Sequence, residues 1–261
     1  MQPVQPPVIA SAAAGSGLLY LQVKRALLQR IEAREWGPGV ALPNERELAQ
    51  ALQVSIGTLR RAVDELVAEH VLVRRQGKGT FVRLHSRDRF VFQFFRMQSR
   101  GEWPSPSLPE EPEFPAVQFL SFERQRADEV MARALRLREG DPVFLIHNRL
   151  SLGTRPVALD RIVISANHFK GLTEKRFTER SGTIYSLYQN DFGITVLRTQ
   201  ERARAVLASR EAIRHLGVSM GTPLLEVHRL ALSFGERPVE YRVSTVQTQR
   251  HDYVVDSPRL T

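Results

Sequence analysis

Apolar positions along residues 19–82 recur first with the period of a helix and then with that of a strand. Leu19, Val23, Leu27 and Ile31 fall every four residues, with Leu28 beside them. This pattern predicts an amphipathic helix ending near Glu35, stopped by Gly37-Pro38-Gly39, with Trp36 packed under the turn. Asn44 followed three residues later by Glu47 is a reciprocal capping pair, and it predicts a short helix reaching about Leu52. Ser55 offers a second cap. After it Leu59, Ala62, Val63, Leu66 and Val67 form a buried stripe that leaves Thr58, Arg60, Arg61 and Asp64 outward. The β-branched run 71–73, the turn Gly77-Lys78-Gly79 and residues 80–82 then predict a two-stranded wing. Its glycines permit positive φ, and Arg74, Arg75 and Lys78 supply charge. A short helix, a turn and a second helix that is polar and basic near its start suit docking in a DNA major groove. The plainer alternative is a small helical domain with a basic hairpin.

The rest of the chain reads differently. Residues 83–89 are short, charged and weakly patterned, as a linker would be, and 90–95 are aromatic and β-prone. Residues 101–115 carry prolines at 104, 106, 109, 112 and 115, which predicts an extended loop. A partial duplication follows. A helical run over 127–142 ends in Gly140-Asp141-Pro142, and one over 208–223 ends in Gly221-Thr222-Pro223. Each continues into a β-rich stretch with an Arg-Leu pair, Arg149-Leu150 or Arg229-Leu230, and then Arg-Pro-Val. Between the copies a loop is expected over 169–180, a helix over 182–191 and a strand over 194–205. Antiparallel hairpins with flanking helices define an α+β domain.

Composition narrows the partners. A chain of 261 residues suits two domains, and 37 Lys and Arg against 28 Asp and Glu give a net charge of +9, which favours a polyanion partner. There are no cysteines, so no disulfide framework and no thiol chemistry, as suits a cytoplasmic protein. No run of apolar residues is long enough to span a membrane. Residues 1–17 are rich in Pro, Ala, Gly and Ser and lack the basic start of a signal peptide, so a disordered tail is expected.

Residues 42–82 carry L-P-N-E-R-E-L-A, then V-S-I-G-T-L-R-R-A, then R-R-Q-G-K-G-T-F-V. They resemble the winged helix-turn-helix of the GntR family of bacterial transcription regulators. The resemblance implies an N-terminal DNA-binding domain over 18–83. It implies DNA contacts from Asn44, Glu45, Arg46, Ser55, Ile56, Thr58, Arg60, Arg61 and the wing residues Gln76, Gly77, Lys78 and Gly79. Two departures stand out. Asn44 replaces the usual Ser and still caps, and Ile56 stands where the family usually has a DNA-reaching Arg.

Residues 90–253 resemble, through looser motifs such as G-D-P-V, F-K-G-L, G-T-P-L-L-E-V and P-V-E-Y, the UTRA effector domain of the HutC subfamily. That implies an antiparallel sheet with flanking helices, chorismate-lyase-like, filling 84–261 together with the linker. From the residues alone, Arg149 in a mostly apolar run needs an anion or a salt bridge, and Asp160 needs a partner too, either Arg149 or a ligand. Glu240, Arg242 and Ser244 share a strand face that by default is solvated. The resemblance implies an effector site at Arg149, Asp160, Thr183, Tyr185 and Glu240, with Arg242 beside the last. Ser151 replaces the second Arg of the family's pair and Val246 a common Tyr; a lone Arg suits a singly charged or carboxylate ligand.

Histidines at 70, 85, 147, 168, 215, 228 and 251 show no metal-binding spacing, and no nucleophile elbow, phosphate loop or dinucleotide fingerprint occurs. No metal or cofactor is therefore expected, and no enzyme. The expectation is a homodimeric regulator, acting as a repressor, that binds a pseudo-palindromic double-stranded operator and answers to a small anionic metabolite. An alternative is a DNA-binding protein whose second domain takes no ligand, for which a dry domain without a cleft would speak.

Overall fold

The computed structural model describes residues 16–33, 35–37, 39–69, 71–82, 97–99 and 115–254. Residues 1–15 of the expected tail, the linker and strand expected over 83–95, and the proline-rich stretch up to 114 lie outside the described residues. The chain divides into two compact units, Met1–Leu84 with Gln189–Leu197 and His85–Tyr188 with Arg198–Thr261.

In the first unit α1 (Ser16–Glu32) starts and stops three residues earlier than the pattern predicts. Arg30 explains the early end: it donates to Glu35 (2.6 Å) and lies 4.5 Å over the buried Trp36 ring, folding the chain back after the helix. Val23, Leu27 and Ile31 are buried, and Lys24 crosses to Glu65 (3.0 Å) on α3 (Ile56–Ala68). Before it, α2 (Glu45–Ala51) is capped by Asn44, whose side chain accepts the Glu47 N–H at 2.9 Å. Ser55 caps α3 by accepting the Thr58 N–H at 3.1 Å. Leu59, Ala62, Val63 and Leu66 are buried, as their spacing requires. The wing is β1 (Leu72–Arg75) antiparallel to β2 (Gly79–Val82), with Gly77 at φ +69° and Gly79 at φ +110° turning the chain. Residues 39–42 fasten it, Leu42 N–H donating to the Thr80 carbonyl (2.8 Å) and Val82 N–H to that of Val40 (3.1 Å).

The second unit is built on β4 (Ala116–Arg126), β5 (Pro142–Leu152), β6 (Arg155–Ser165), β7 (Arg198–Leu207), β8 (Pro223–Leu232) and β9 (Pro238–Val246). Their order in one antiparallel sheet is β4-β5-β6-β9-β8-β7. That order is symmetric about the β6–β9 seam, so the duplication is larger than the sequence suggests. Each half is strand, helix, strand, strand, with α4 (Glu129–Leu135) in one and α7 (Arg210–Leu216) in the other. The caps repeat too: Asp128 accepts from Met131 N–H (2.8 Å) and Ser209 from Ala212 N–H (3.2 Å). Both helices end in a left-handed residue, Arg136 and Gly217. Several pieces escape the sequence reading, among them β4, which no pattern announces, and α5 (Glu174–Thr178), which sits inside the stretch expected to be a loop. The strand expected from 194 begins at Arg198.

One sheet face is covered by α4 and α7. Met131, Ala132 and Leu135 pack on Val143, Leu145, Val163 and Tyr241, while Ala212 and Leu216 pack on Leu159 and Leu224. Burying each larger side chain contributes on the order of 1.5–3 kcal/mol. The other face is covered by residues 166–188, which include α5 and the start of α6 (Ile184–Phe192). Aromatic rings fill that space, Phe177 lying 6.3 Å from Phe119 and Phe169 lying 4.6 Å from Tyr188. Beside them β3 (Met97–Ser99) pairs with β10 (His251–Tyr253), and Met97 packs on Leu150, Val157 and Val246.

Candidate nucleic-acid interface and ligand pocket

The start of α3 and the wing tip present their side chains to solvent. Arg46, Ser55, Arg60, Arg61, Gln76 and Lys78 are exposed, Thr58 is half-buried beside the Ser55 hydroxyl (2.8 Å), and Ile56 is 37% exposed. An aliphatic side chain left this open at a helix start contributes little to the core. Glu45 is different in kind. Its carboxylate accepts from Arg60 Nε (2.5 Å) and from Arg74 (3.3 Å), so it holds two cations of this surface. Arg61 lies 4.0 Å over the Tyr20 ring, whereas Arg46 and Lys78 form no ion pair among the described residues.

In the second unit five of the six expected ligand residues come together. Glu240 is fully buried and accepts hydrogen bonds from the Tyr185 hydroxyl (3.1 Å), the Tyr188 hydroxyl (2.7 Å) and Arg242 Nε (2.9 Å). Arg242 also donates to Asp160 across the β6–β9 seam (2.9 Å), and Ser244 donates to the other Asp160 oxygen (2.5 Å). The strand face expected to be solvated is thus buried. Arg242 Nη2 lies 2.9 Å from Glu240 but is not aimed at it, and has no hydrogen-bond partner among the described residues. Burial works against the Arg242 charge, yet Glu240 and Asp160 outweigh it and hold its pKa above the ordinary value. Burial and the charge of Glu240 push the Tyr185 and Tyr188 phenols up. Next to this cluster Thr183 caps the start of α6, accepting the Ser186 N–H at 3.1 Å.

Arg149 is the exception, and its place corrects the pairing considered for Asp160. In the sheet Asp160 stands beside Asn148, while Arg149 stands beside Leu159 on the opposite face. When α4 is laid on α7 and Pro142 on Pro223, Asn148, not Arg149, falls opposite Arg229. The two Arg-Leu pairs are therefore one residue out of register, and one residue turns a strand side chain to the other face. Arg229 does point to the face of Arg242, its register partner, and donates to Glu201 at 2.6 Å.

The sequence reading missed two residues here. Asn148 is 4% exposed and its Oδ1 has no hydrogen-bond partner among the described residues. Arg180, just before α6, donates Nη1 to the Phe177 carbonyl (2.6 Å) and lies 4.4 Å over that ring, with its Nε unpartnered among the described residues. The signal for Asn148 was its alternation with Ile146 on the face of Asp160; Arg180 carried none beyond its closeness to a helix start. Asn148, Asp160, Arg180, Thr183 and Arg242 line a small cavity of about 50 Å³. A larger cavity of about 390 Å³ lies on the α4–α7 face. Its wall residues Arg204, Glu226, His228 and Tyr241 pair with one another, so less of its polar surface calls for a ligand.

A capped helix-turn-helix with a wing, joined in one chain to a duplicated α+β domain with a polar pocket, defines a ligand-responsive DNA-binding regulator. The chain matches the bacterial regulatory proteins of the gntR family over residues 19–82 and the UTRA domain over 113–252. It belongs to that family, whose members are transcription regulators and not enzymes. It is 29% identical over 244 residues to the histidine utilization repressor of Pseudomonas putida, covering 90% of this chain and 91% of that one. The probable fructoselysine utilization operon transcriptional repressor of Escherichia coli K12 is 26% identical over 247 residues, covering 93% and 96%. Among solved structures, the ligand-binding domain of a GntR-family regulator from Bordetella bronchiseptica aligns at TM-score 0.56 and 32% identity, over 62% of this chain and 96% of that one. PhnF from Mycobacterium smegmatis aligns at TM-score 0.52 and 23% identity over 90% and 99%, a likeness of fold.

Proposed function

We propose that this regulator is a homodimeric repressor of a catabolic operon, released from a pseudo-palindromic operator by a small metabolite. Residues 18–83 read DNA and the domain after them senses the metabolite. Asn148, Asp160, Thr183, Tyr185, Glu240 and Arg242 are the residues that serve the ligand. The observation that carries the reading is the buried polar cluster around Glu240. A scaffold alone gains little from one guanidinium and two carboxylates out of water, because desolvation offsets much of their attraction. Two relatives named as utilization repressors support the sign of regulation. On the DNA side, Arg46 and Ile56 meet bases, Lys78 meets phosphate, and Glu45 positions Arg60 and Arg74. Two such domains on a two-fold axis read two half-sites, and a ligand shifts the population competent for both.

The test is a gel-shift titration on the DNA upstream of the regulator's own gene, with mass determined by light scattering. A dimer is expected on a site with two half-sites, losing affinity when the activating metabolite is found in a thermal-shift screen of amino acids, sugars, phosphosugars and their breakdown products. A monomer, or a screen in which no compound alters both melting and DNA binding, rejects the proposal.

A further inference from the structure

Resting on that reading of the pocket, we infer that it takes a small carboxylic acid, the carboxylate held by Arg180 at the start of α6 and the far end donating a hydrogen bond to Asn148 Oδ1. The anion end follows from the charges around it. Arg180 is half-buried in this pocket with its Nε shut off from water, yet no carboxylate among the described residues pairs with it. Burial first, with the neighbouring Arg242 charge adding to it, holds the Arg180 pKa below its ordinary value. A buried cation with no anion is costly, and a ligand anion relieves that cost. The start of α6 works in the same direction. Thr183 places a hydroxyl there, and the first backbone N–H groups of a nine-residue helix carry partial positive charge.

The opposite end of the pocket calls for a donor. Asn148 is 4% exposed and its Oδ1 meets no donor among the described residues. Asp160 stands beside it in the sheet, and together with Glu240 it outnumbers the single Arg242 between them. A donating nitrogen, charged or neutral, fits that end better than a second anion. Between the ends, Val117, Leu150, Ile162 and Ile184 form an apolar wall.

The charge count separates a carboxylate from a phosphate. Arg242 is already met by two carboxylates and Arg229 by Glu201, which leaves Arg180 as the guanidinium here without an acid. One such cation matches a single negative charge; a phosphate monoester brings close to two at neutral pH. Arg149, expected from the sequence to hold the anion, is turned to the other face of the sheet. The task expected of Arg149 therefore falls to Arg180.

Calorimetry and thermal shift on the full chain with 4-aminobutanoate, butanoate, butanamide, inorganic phosphate and glycerol phosphate test this. Butanoate is expected to bind and butanamide not, 4-aminobutanoate to bind more tightly than butanoate, and both phosphates more weakly than either acid. Arg180→Gln should weaken the acids by ten-fold or more, and Arg180→Lys should recover part of the loss because an ammonium lacks the two-pronged geometry. Asn148→Ala should erase the advantage of 4-aminobutanoate over butanoate while leaving butanoate bound. Equal binding of acid and amide, stronger binding of a phosphate, or acid binding unchanged in Arg180→Gln overturns the inference, while the regulator with some other effector survives. Failure of all five probes also overturns it; the metabolite screen described above then decides separately whether the domain senses anything.

Discussion

Arg242 faces carboxylates from two strands, and removing it leaves Asp160 and Glu240 buried without a counter-charge. Arg242→Met should therefore cost on the order of 3–5 kcal/mol of stability. Chemical denaturation measures it, and a loss below about 1 kcal/mol would show that the cluster is slack. Arg149 should behave in the opposite way. It is partly exposed and lies on the far face from the pocket, so Arg149→Ala should change stability by less than about 1 kcal/mol and leave the metabolite response intact. At this scale the sequence tells which residues are costly to bury but not which way they face. Asp160 was legible as a residue that needs a partner, whereas Glu240 came only through the family resemblance, its strand face reading as solvated, and the resemblance that named Arg149 did not tell its face.

Elements that carry their own punctuation were the most legible. Asn44 and Ser55 announce α2 and α3, and the helices begin immediately after them. Ser55→Ala should cost about 1 kcal/mol, read by denaturation of the chain. β4 was missed for a physical reason. It is an edge strand, partly exposed on both faces, and a register shift between Phe119 and Ser121 breaks the alternation a reader would look for. α5 is five residues long, too short to show a period. For the DNA-facing elements, Arg46→Ala should cost on the order of 1–3 kcal/mol at one base pair. Lys78→Ala should flatten the salt dependence by about one unit if it meets phosphate. Glu45→Gln removes the acid that holds Arg60 and Arg74, so affinity for unrelated DNA should rise. Fluorescence anisotropy against operator and random duplexes across a salt series checks all three, and a Glu45→Gln protein no tighter on random DNA would contradict that role.

For the molecule as a whole, the second unit concentrates phenols whose neutral form the fold prefers. Tyr185, Tyr188, Tyr241 and Tyr253 are all held above their ordinary pKa of 10, chiefly by burial, with Tyr253 pushed up to about 12. Since the folded values exceed the unfolded ones, the stability they lend is complete below pH 10 and drains away as pH rises through 12. Melting followed together with phenolate absorbance should show alkaline unfolding starting above pH 10. Tyr253→Phe should delay it, and an alkaline limit that ignores the phenols would refute the assignment.

The β6–β9 seam has a further consequence. It joins the two halves of the sheet, and the bond from Arg242 to Asp160 and that from Ser244 to Asp160 both cross it. A slide of one residue along the seam would separate all three groups at once, so the polar cluster acts as a key that admits one register. The amide protons of residues 158–163 and 241–246 should then be among the slowest in the chain to exchange with deuterated water. A bound ligand that touches Asp160 should slow exchange along both strands, including at residues it does not contact.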